Sequence, residues 1–202
     1  MKQRLPSQGL FLDSDLLDIF NSIFMEDSIP CRKFDVTSMA ESVYRHFYST
    51  MLRITDTADK CMVLQEFSGQ AQLVALYLQG ANAQREVKLN MALYTSQPFS
   101  RSTSKQPVTL GIVGRNFYLS CVMVGGQPEL RLEKVDKLLS PIKRELLRFL
   151  FFKVGSNPSS SFESAACPGW YISTSQKNNE LVTVTTMQEQ TAIQNFKLVH
   201  MQ

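Results

Sequence analysis

The sequence predicts an all-β domain, a barrel or sandwich of twelve short strands, behind a short segment of different character. Three observations carry that prediction. From His46 onward the helical period disappears, and β-branched and aromatic runs recur at near-regular intervals. Turn-forming residues, Gly and Pro above all, separate those runs. One pattern recurs three times: Tyr77-Leu78-Gln79, Tyr118-Leu119-Ser120 and Tyr171-Ile172-Ser173 are each followed by an acid-led run, beginning at Glu86, Glu129 and Glu180. The tyrosines lie 41 and 53 residues apart and the acids follow by 9, 11 and 9, a spacing that marks an internal repeat.

Taken in order, residues 1–45 hold one structured element. Asp13, Ser14 and Asp15 supply capping and early acidic residues. Leu16, Leu17, Ile19, Phe20, Ile23 and Phe24 then recur at three and four residues, which predicts an amphipathic helix over 15–24. Glu26–Arg45 is polar, contains Pro30 and reads as a linker of low order. The domain spans 46–202. Its β-rich runs place strands at Phe47–Ile54, Cys61–Gln65, Leu73–Leu78, Val87–Tyr94, Val108–Ile112, Phe117–Met123, Glu129–Glu133, Arg148–Val154, Ser161–Ser164, Trp170–Thr174, Leu181–Thr185 and Gln194–Leu198. Val135–Leu147 has helix-like spacing but is broken by Pro141, so a long surface loop with a helical turn is expected there.

Composition narrows the function classes. At 202 residues and 44% hydrophobic, the chain has room for one well-buried core. No apolar run approaches the ~20 residues of a membrane-spanning helix. Leu5–Phe20 is interrupted by Pro6, Gln8, Asp13, Asp15 and Asp18, so the apolar stretch of a secretory leader is missing and synthesis in the cytosol is expected. Cys31, Cys61, Cys121 and Cys167 are too few and too scattered for a disulfide framework or a zinc site. Three read as small hydrophobes inside apolar strands, and Cys31 lies in a polar stretch. Pro158 blocks Asn157 as a glycosylation acceptor. Residues 1–45 carry five Lys/Arg against seven Asp/Glu, and residues 46–202 carry sixteen against eleven. That dispersed basic excess is below what nucleic-acid binding requires and suits a partner with an acidic face.

Chemistry is sparse. His46 and His200 are the only histidines, and no nucleophile elbow, phosphate loop, paired carboxylates or metal spacing stands out. The chain therefore reads as a recognition protein rather than an enzyme, without metal or cofactor. Within Phe162–Thr174, Pro168-Gly169 forces a tight turn and Trp170-Tyr171-Ile172 begins a new strand. Lys143, Arg144, Arg148 and Lys153 form a basic cluster, which on physics alone reads as solvated surface.

Phe162, Ser164, Ala165, Pro168, Tyr171, Ile172, Ser173 and Thr174, with Val182 beyond, match a known signature pattern. Leu73–Gly80, Pro107–Ile112 and Phe117–Val122 fit the same family in order and spacing. On these motifs the chain, from about His46 to Leu198, resembles the interleukin-1 family. The resemblance implies a β-trefoil with pseudo-threefold symmetry, twelve strands forming a six-stranded barrel and three capping hairpins, and the internal repeat agrees with it. It also implies a pro-inflammatory cytokine, made as a cytosolic precursor and released without a signal peptide. That cytokine would act as a monomer, bind an immunoglobulin-type receptor ectodomain and recruit an accessory chain. Receptor-contact positions carried over by the resemblance are His46, Arg53, Tyr77, Gln79, Leu93, Lys143, Arg144, Lys153 and Asn179. Residues 1–45 would be a pro-segment; its shortness for the family implies that Met1 is an internal start.

Two departures from the family pattern bear on activity. The position tied to accessory-chain recruitment is an aspartate in agonists and a lysine in the natural antagonist; here it is Asn195, which keeps an acceptor oxygen and loses the charge. The long Thr95–Gln106 loop favours an agonist over the receptor antagonist. At the position of the family's processing aspartate stands Arg45, which an aspartate pocket rejects. Cleavage elsewhere, or by a trypsin-like protease after Arg45, is expected, with Asp35 as a weaker caspase candidate. The rival from another class is a carbohydrate-binding or protease-inhibiting module on the same fold; a lectin would need sugar platforms repeated in each unit, and no such repetition is seen, while a growth-factor-type trefoil would need a denser basic patch for heparin.

Overall fold

The computed structural model describes residues 42–97, 104–137, 139–155 and 158–201. The predicted helix over 15–24, most of the linker, Cys31, Asp35 and Asn157 lie outside the described residues. Fourteen strands follow in order: β1 (Val43–Asp56), β2 (Cys61–Phe67), β3 (Gln70–Leu76), β4 (Leu89–Gln97), β5 (Lys105–Ile112), β6 (Phe117–Val124), β7 (Gln127–Lys134), β8 (Phe151–Val154), β9 (Ser161–Ser164), β10 (Trp170–Ser175), β11 (Glu180–Leu181), β12 (Thr183–Thr186), β13 (Ala192–Ile193) and β14 (Phe196–His200).

Their pairing closes a ring. β1 pairs β4, β4 pairs β5, β5 pairs β8 and β8 pairs β9, all antiparallel. Reciprocal hydrogen bonds between Ser160 and Phe196, both 2.9 Å, join the start of β9 to β14, and β14 returns to β1. Closure leaves this six-stranded barrel without an open edge. Hairpins β2–β3, β6–β7 and β10–β12 are inserted between successive barrel strands. Each third of the chain is thus barrel strand, hairpin, barrel strand, which is the β-trefoil.

Alternation sets the core. In β1, Leu52 and Ile54 point into the barrel and Met51 and Arg53 point out. Leu52, Leu89, Val108, Leu110, Phe151, Phe162 and Phe196 form the interior with residues of all three hairpins, and the rings of Phe162 and Phe196 pack 6.1 Å apart. A second cluster of Ala92, Tyr94, Leu139, Ile142, Phe149 and Leu150 sits apart from it.

The structure corrects several expectations. Twelve strands become fourteen because the expected strand at Leu181–Thr185 changes partner midway. Glu180 and Leu181 pair β3, the Val182 N–H bonds to Leu73 O at 2.9 Å, and Thr183–Thr186 pair β10. The short β13 then pairs the far end of β10. β1 starts at Val43, not Phe47, because β4 runs alongside it to Gln97, with a bulge between His46 and Tyr48. Tyr77-Leu78-Gln79 lies beyond the end of β3 and leads into a 3-10 turn at Gly80–Arg85. β4 begins at Leu89, since Val87 N–H bonds to Met62 O in the first hairpin. Arg148 opens no strand; it lies in a 3-10 turn at Arg144–Phe149. That turn is the expected helical turn, but its loop is anchored, with Leu139 and Ile142 buried. β14 begins at Phe196, because Asn195 O accepts the Thr57 N–H instead of a strand partner. Cys61 and Cys121 are in strands as expected, but Cys167 is buried in a turn.

Candidate functional site

The basic loop is held from beneath. The Tyr94 hydroxyl donates to Leu139 O at 2.6 Å, and burial pushes that phenol up to about 12. Tyr44 and Ile142 exchange backbone hydrogen bonds of 2.9 and 2.8 Å, so the loop adds a bridge to the outer edge of β1. Lys143 and Arg144 follow directly and are exposed. His46 belongs to the same patch: its N–H donates to Ser140 Oγ at 3.1 Å, its ring bonds to Ser49 at 2.7 Å, and it packs edge-on against Tyr94. Arg148 does not extend the basic face outward. Its guanidinium bonds both oxygens of Glu133 and donates to Glu145 O at 2.6 Å, so it pins the turn to β7. Lys153 is only 8% exposed, in β8 with its Nζ 3.5 Å from Gly155 O.

A second group assembles from distant sequence. The Tyr77 N–H donates to Asn178 Oδ1 at 2.9 Å, and the Asn179 N–H donates to Ala75 O at 2.9 Å. Tyr77 and Asn179 are thereby neighbours, and exposed Gln79 follows Tyr77 into the 3-10 turn. Arg53 stands on the outer face of β1, half exposed, with its Nε donating to Glu86 Oε2 at 2.6 Å. Leu93 is half buried and packs against the main core from β4. Asn195 is exposed between β13 and β14, and Gln194 beside it donates to Thr185 O, Thr185 Oγ1 and Thr186 O. Arg45 lies within β1 opposite Thr95.

Sequence reasoning missed the polar group beside Tyr77 and Asn195. Asp56 and Lys60 are each 1% exposed, and Lys60 Nζ lies 2.9 Å from Asp56 Oδ2 as an ion pair without hydrogen-bond alignment. Thr174 donates to the same oxygen at 2.6 Å, while the N–H groups of Ala58 and Lys60 bond Asp56 Oδ1. Lys60 Nζ also sits 5.7 Å from the centre of the Tyr77 ring, and the Thr57 N–H reaches Asn195 O at 3.1 Å. The Asp56–Lys60 turn therefore touches both the Tyr77 group and the Asn195 loop. An Asp-x-x-x-Lys spacing within a polar stretch carries no sequence signal for this, because burial of the pair depends on β10 and β14.

The signature segment is a folded corner. Phe162 and Ile172 fill the core. Ser164 Oγ accepts the Cys167 N–H at 3.0 Å, and Ala165 N–H bonds Leu150 O at 3.0 Å. Pro168 and Gly169 form the tight turn closed by Trp170 N–H to Cys167 O, with Gly169 at φ 84°. Glu163 Oε1 accepts the Gly169 N–H at 2.9 Å and Oε2 meets Lys105 Nζ at 2.5 Å. Tyr171 pairs Glu163 and Thr185, Ser173 is buried opposite Thr183, and Thr174 is the Asp56 donor already named. The signature residues thus build the corner rather than a contact surface.

Among the described residues no cluster of His, Cys, Asp or Glu is arranged to hold a metal, and no helix is long and apolar enough to cross a membrane. The chain is a β-trefoil that carries exposed polar residues on anchored loops. Comparison with known sequences makes the class specific. The family model described as Interleukin-1 / 18 matches residues 78–198. Interleukin-1 beta of Cavia porcellus is 38% identical over 197 residues, covering 98% of this chain and 70% of that protein. Interleukin-1 beta of Homo sapiens is 36% identical over 178 residues, covering 88% of this chain and 63% of that one. The crystal structure of the chicken cytokine interleukin 1 beta superposes with a TM-score of 0.66 at 39% identity, covering 77% of this chain and 98% of its own. The chain belongs to the interleukin-1 family of cytokines and is similar to its interleukin-1 beta members.

Proposed function

We propose that this protein is a pro-inflammatory ligand of interleukin-1 beta type. It binds an immunoglobulin-type receptor ectodomain and brings in an accessory chain, so that the intracellular parts of the two receptors start inflammatory signalling. The observation that carries this is the presentation of Lys143 and Arg144: two exposed cations on a loop fixed by Tyr44, Tyr94 and Ile142, beside His46. A preorganised basic face on a domain with a basic excess suits an acidic partner surface. Arg53, Tyr77, Gln79, Leu93, Lys153 and Asn179 complete the proposed receptor-facing set, with Lys153 and Leu93 acting mainly through packing. Asn195, on a loop anchored by Gln194, is the proposed accessory-chain contact.

Residues ahead of the domain act as a pro-segment of a cytosolic precursor that leaves the cell without a signal peptide and works as a monomer after proteolysis. Cleavage after Arg45 requires Val43–Arg45 to peel from β4 first, since a protease binds its substrate as an extended free strand. Asn195 supports one second reading, the receptor antagonist, which binds the first receptor and stalls.

The test compares the full chain, a fragment beginning at Ser42 and the same fragment with K143E and R144E, on cells bearing the interleukin-1 receptor pair and an inflammatory reporter. Activation by the fragment is expected, with binding at least ~10-fold weaker for the double variant at unchanged melting temperature. Binding without activation selects the antagonist. Absence of binding by either unaltered form removes the receptor reading.

A further inference from the structure

Cys121 and Cys167 come from separate thirds of the trefoil, and the fold brings them to one place. Cys121 is wholly buried in β6, opposite Leu130, and Cys167 is 6% exposed in the turn between β9 and β10. The Cys121 thiol lies beside Cys167 and Ser164, whose nearness perturbs its ionisation, and Ser164 Oγ accepts the Cys167 N–H at 3.0 Å. The three side chains form one cluster. Both cysteines line a single surface cleft of about 390 Å³, whose charged wall residues are Arg144, Glu145 and Arg148.

We propose that Cys121 and Cys167 are a redox-active pair that closes to an intramolecular disulfide when the protein meets an oxidising medium containing small-molecule disulfides. Arg144 on the cleft wall offers an exposed cation to an anionic disulfide such as oxidised glutathione, while Arg148 is held by Glu133. The two thiols have different roles. Burial pushes Cys121 up to about 12, so it is a poor first nucleophile. Cys167, at the cleft, attacks one sulfur of the glutathione disulfide and expels one glutathione thiolate, which is protonated by solvent. Cys121 then loses its proton and attacks the Cys167 sulfur, expelling the second glutathione. Two protein thiols are oxidised by two electrons, and one glutathione disulfide becomes two glutathione molecules.

The link joins β6 to the signature corner, directly behind the Arg144–Phe149 turn. It closes a loop of roughly 45 residues, long enough for a large entropic stabilisation. A chain kept reduced before release and cross-linked afterwards would gain stability where proteases are abundant. The inference does not depend on the receptor reading.

The experiment uses the full chain with Cys31→Ser and Cys61→Ser, so that only the pair remains. After equilibration with oxidised glutathione, the protein is expected to lose two hydrogens by mass and both thiols by titration in denaturant. Its melting temperature should rise by ~5–15 °C, a shift reversed by dithiothreitol. Two titratable thiols at equilibrium, or a stable mass gain of one or two glutathiones, overturns the proposal. The unaltered full chain, oxidised alike and digested without reduction, gives a check free of the background substitutions. A cross-linked peptide pair containing Cys121 and Cys167 is expected, and its absence counts against the proposal equally.

Discussion

The second and third hairpins of the trefoil are built on opposite principles. The β6–β7 hairpin is local: eight consecutive pairs run from Phe117 and Lys134 to Val124 and Gln127, closed by Gly125 and Gly126 at φ 57° and 83°. Two positive φ values at the central residues give the turn whose twist matches flanking strands. The β10–β12 hairpin keeps only four pairs. Its remaining groups go elsewhere: β11 to β3, the upper end of β10 to β13, Thr174 to Asp56 and Gln194 to the Thr185–Thr186 backbone. The locally paired hairpin, tied outward at Glu133 to Arg148 and at Tyr118 to Gly111, carries none of the proposed receptor contacts. The dependent one holds Asn179 and connects to both Tyr77 and Asn195. Around the proposed contacts Tyr77, Asn179 and Asn195, long-range polar ties stand in place of local pairing.

The sharpest way to break the contrast is D56A. It strands the buried Lys60 charge and removes the Thr174 acceptor, so a loss of about 3–5 kcal/mol is expected in urea unfolding. The double variant D56A/K60M should recover most of it, because no buried charge is left uncompensated. A loss below about 1 kcal/mol for D56A would mean that the tie is ornamental.

E163Q comes next, at about 2 kcal/mol, because charge-assisted bonds from Lys105 and Gly169 are weakened. Burial opposes ionisation of Glu163, but those two donors outweigh it and hold the carboxyl below the usual range. With the folded value below the unfolded ~4.3, its stabilisation is complete above that pH and is lost as pH falls through the folded value. E163Q should therefore show a shallower loss of stability below about pH 4. Equal slopes for parent and variant would contradict the assignment.

The smallest effect is expected in the local hairpin. G126A meets no atom within 4 Å, so its cost is the left-handed backbone alone, about 1 kcal/mol. Hydrogen exchange should quicken in β6 and β7 and remain unchanged in β10–β12. Spread of the change into the third hairpin would show that the second is not independent.

What was legible in the sequence was whatever rests on neighbours along the chain. Alternation in β7 and the Pro168-Gly169 turn follow from side-chain period and dihedral preference, so strands and turns could be read from them, whereas the trefoil rested on the family resemblance: Tyr77 lies past the second strand of its hairpin, and Tyr118 and Tyr171 lie in the first strands of theirs. The boundaries of β1, β4 and β14 and the split at Val182 could not, because each is set by a hydrogen-bond partner tens of residues away. The exposed loop cations Lys143 and Arg144 were readable as surface, since isolated charge prefers water. That Arg148 turns back to Glu133 was not readable, and neither was the burial of Lys60. Residue type states what a side chain needs. Only the closed barrel decides whether water, a carboxylate or another thiol is there to meet it.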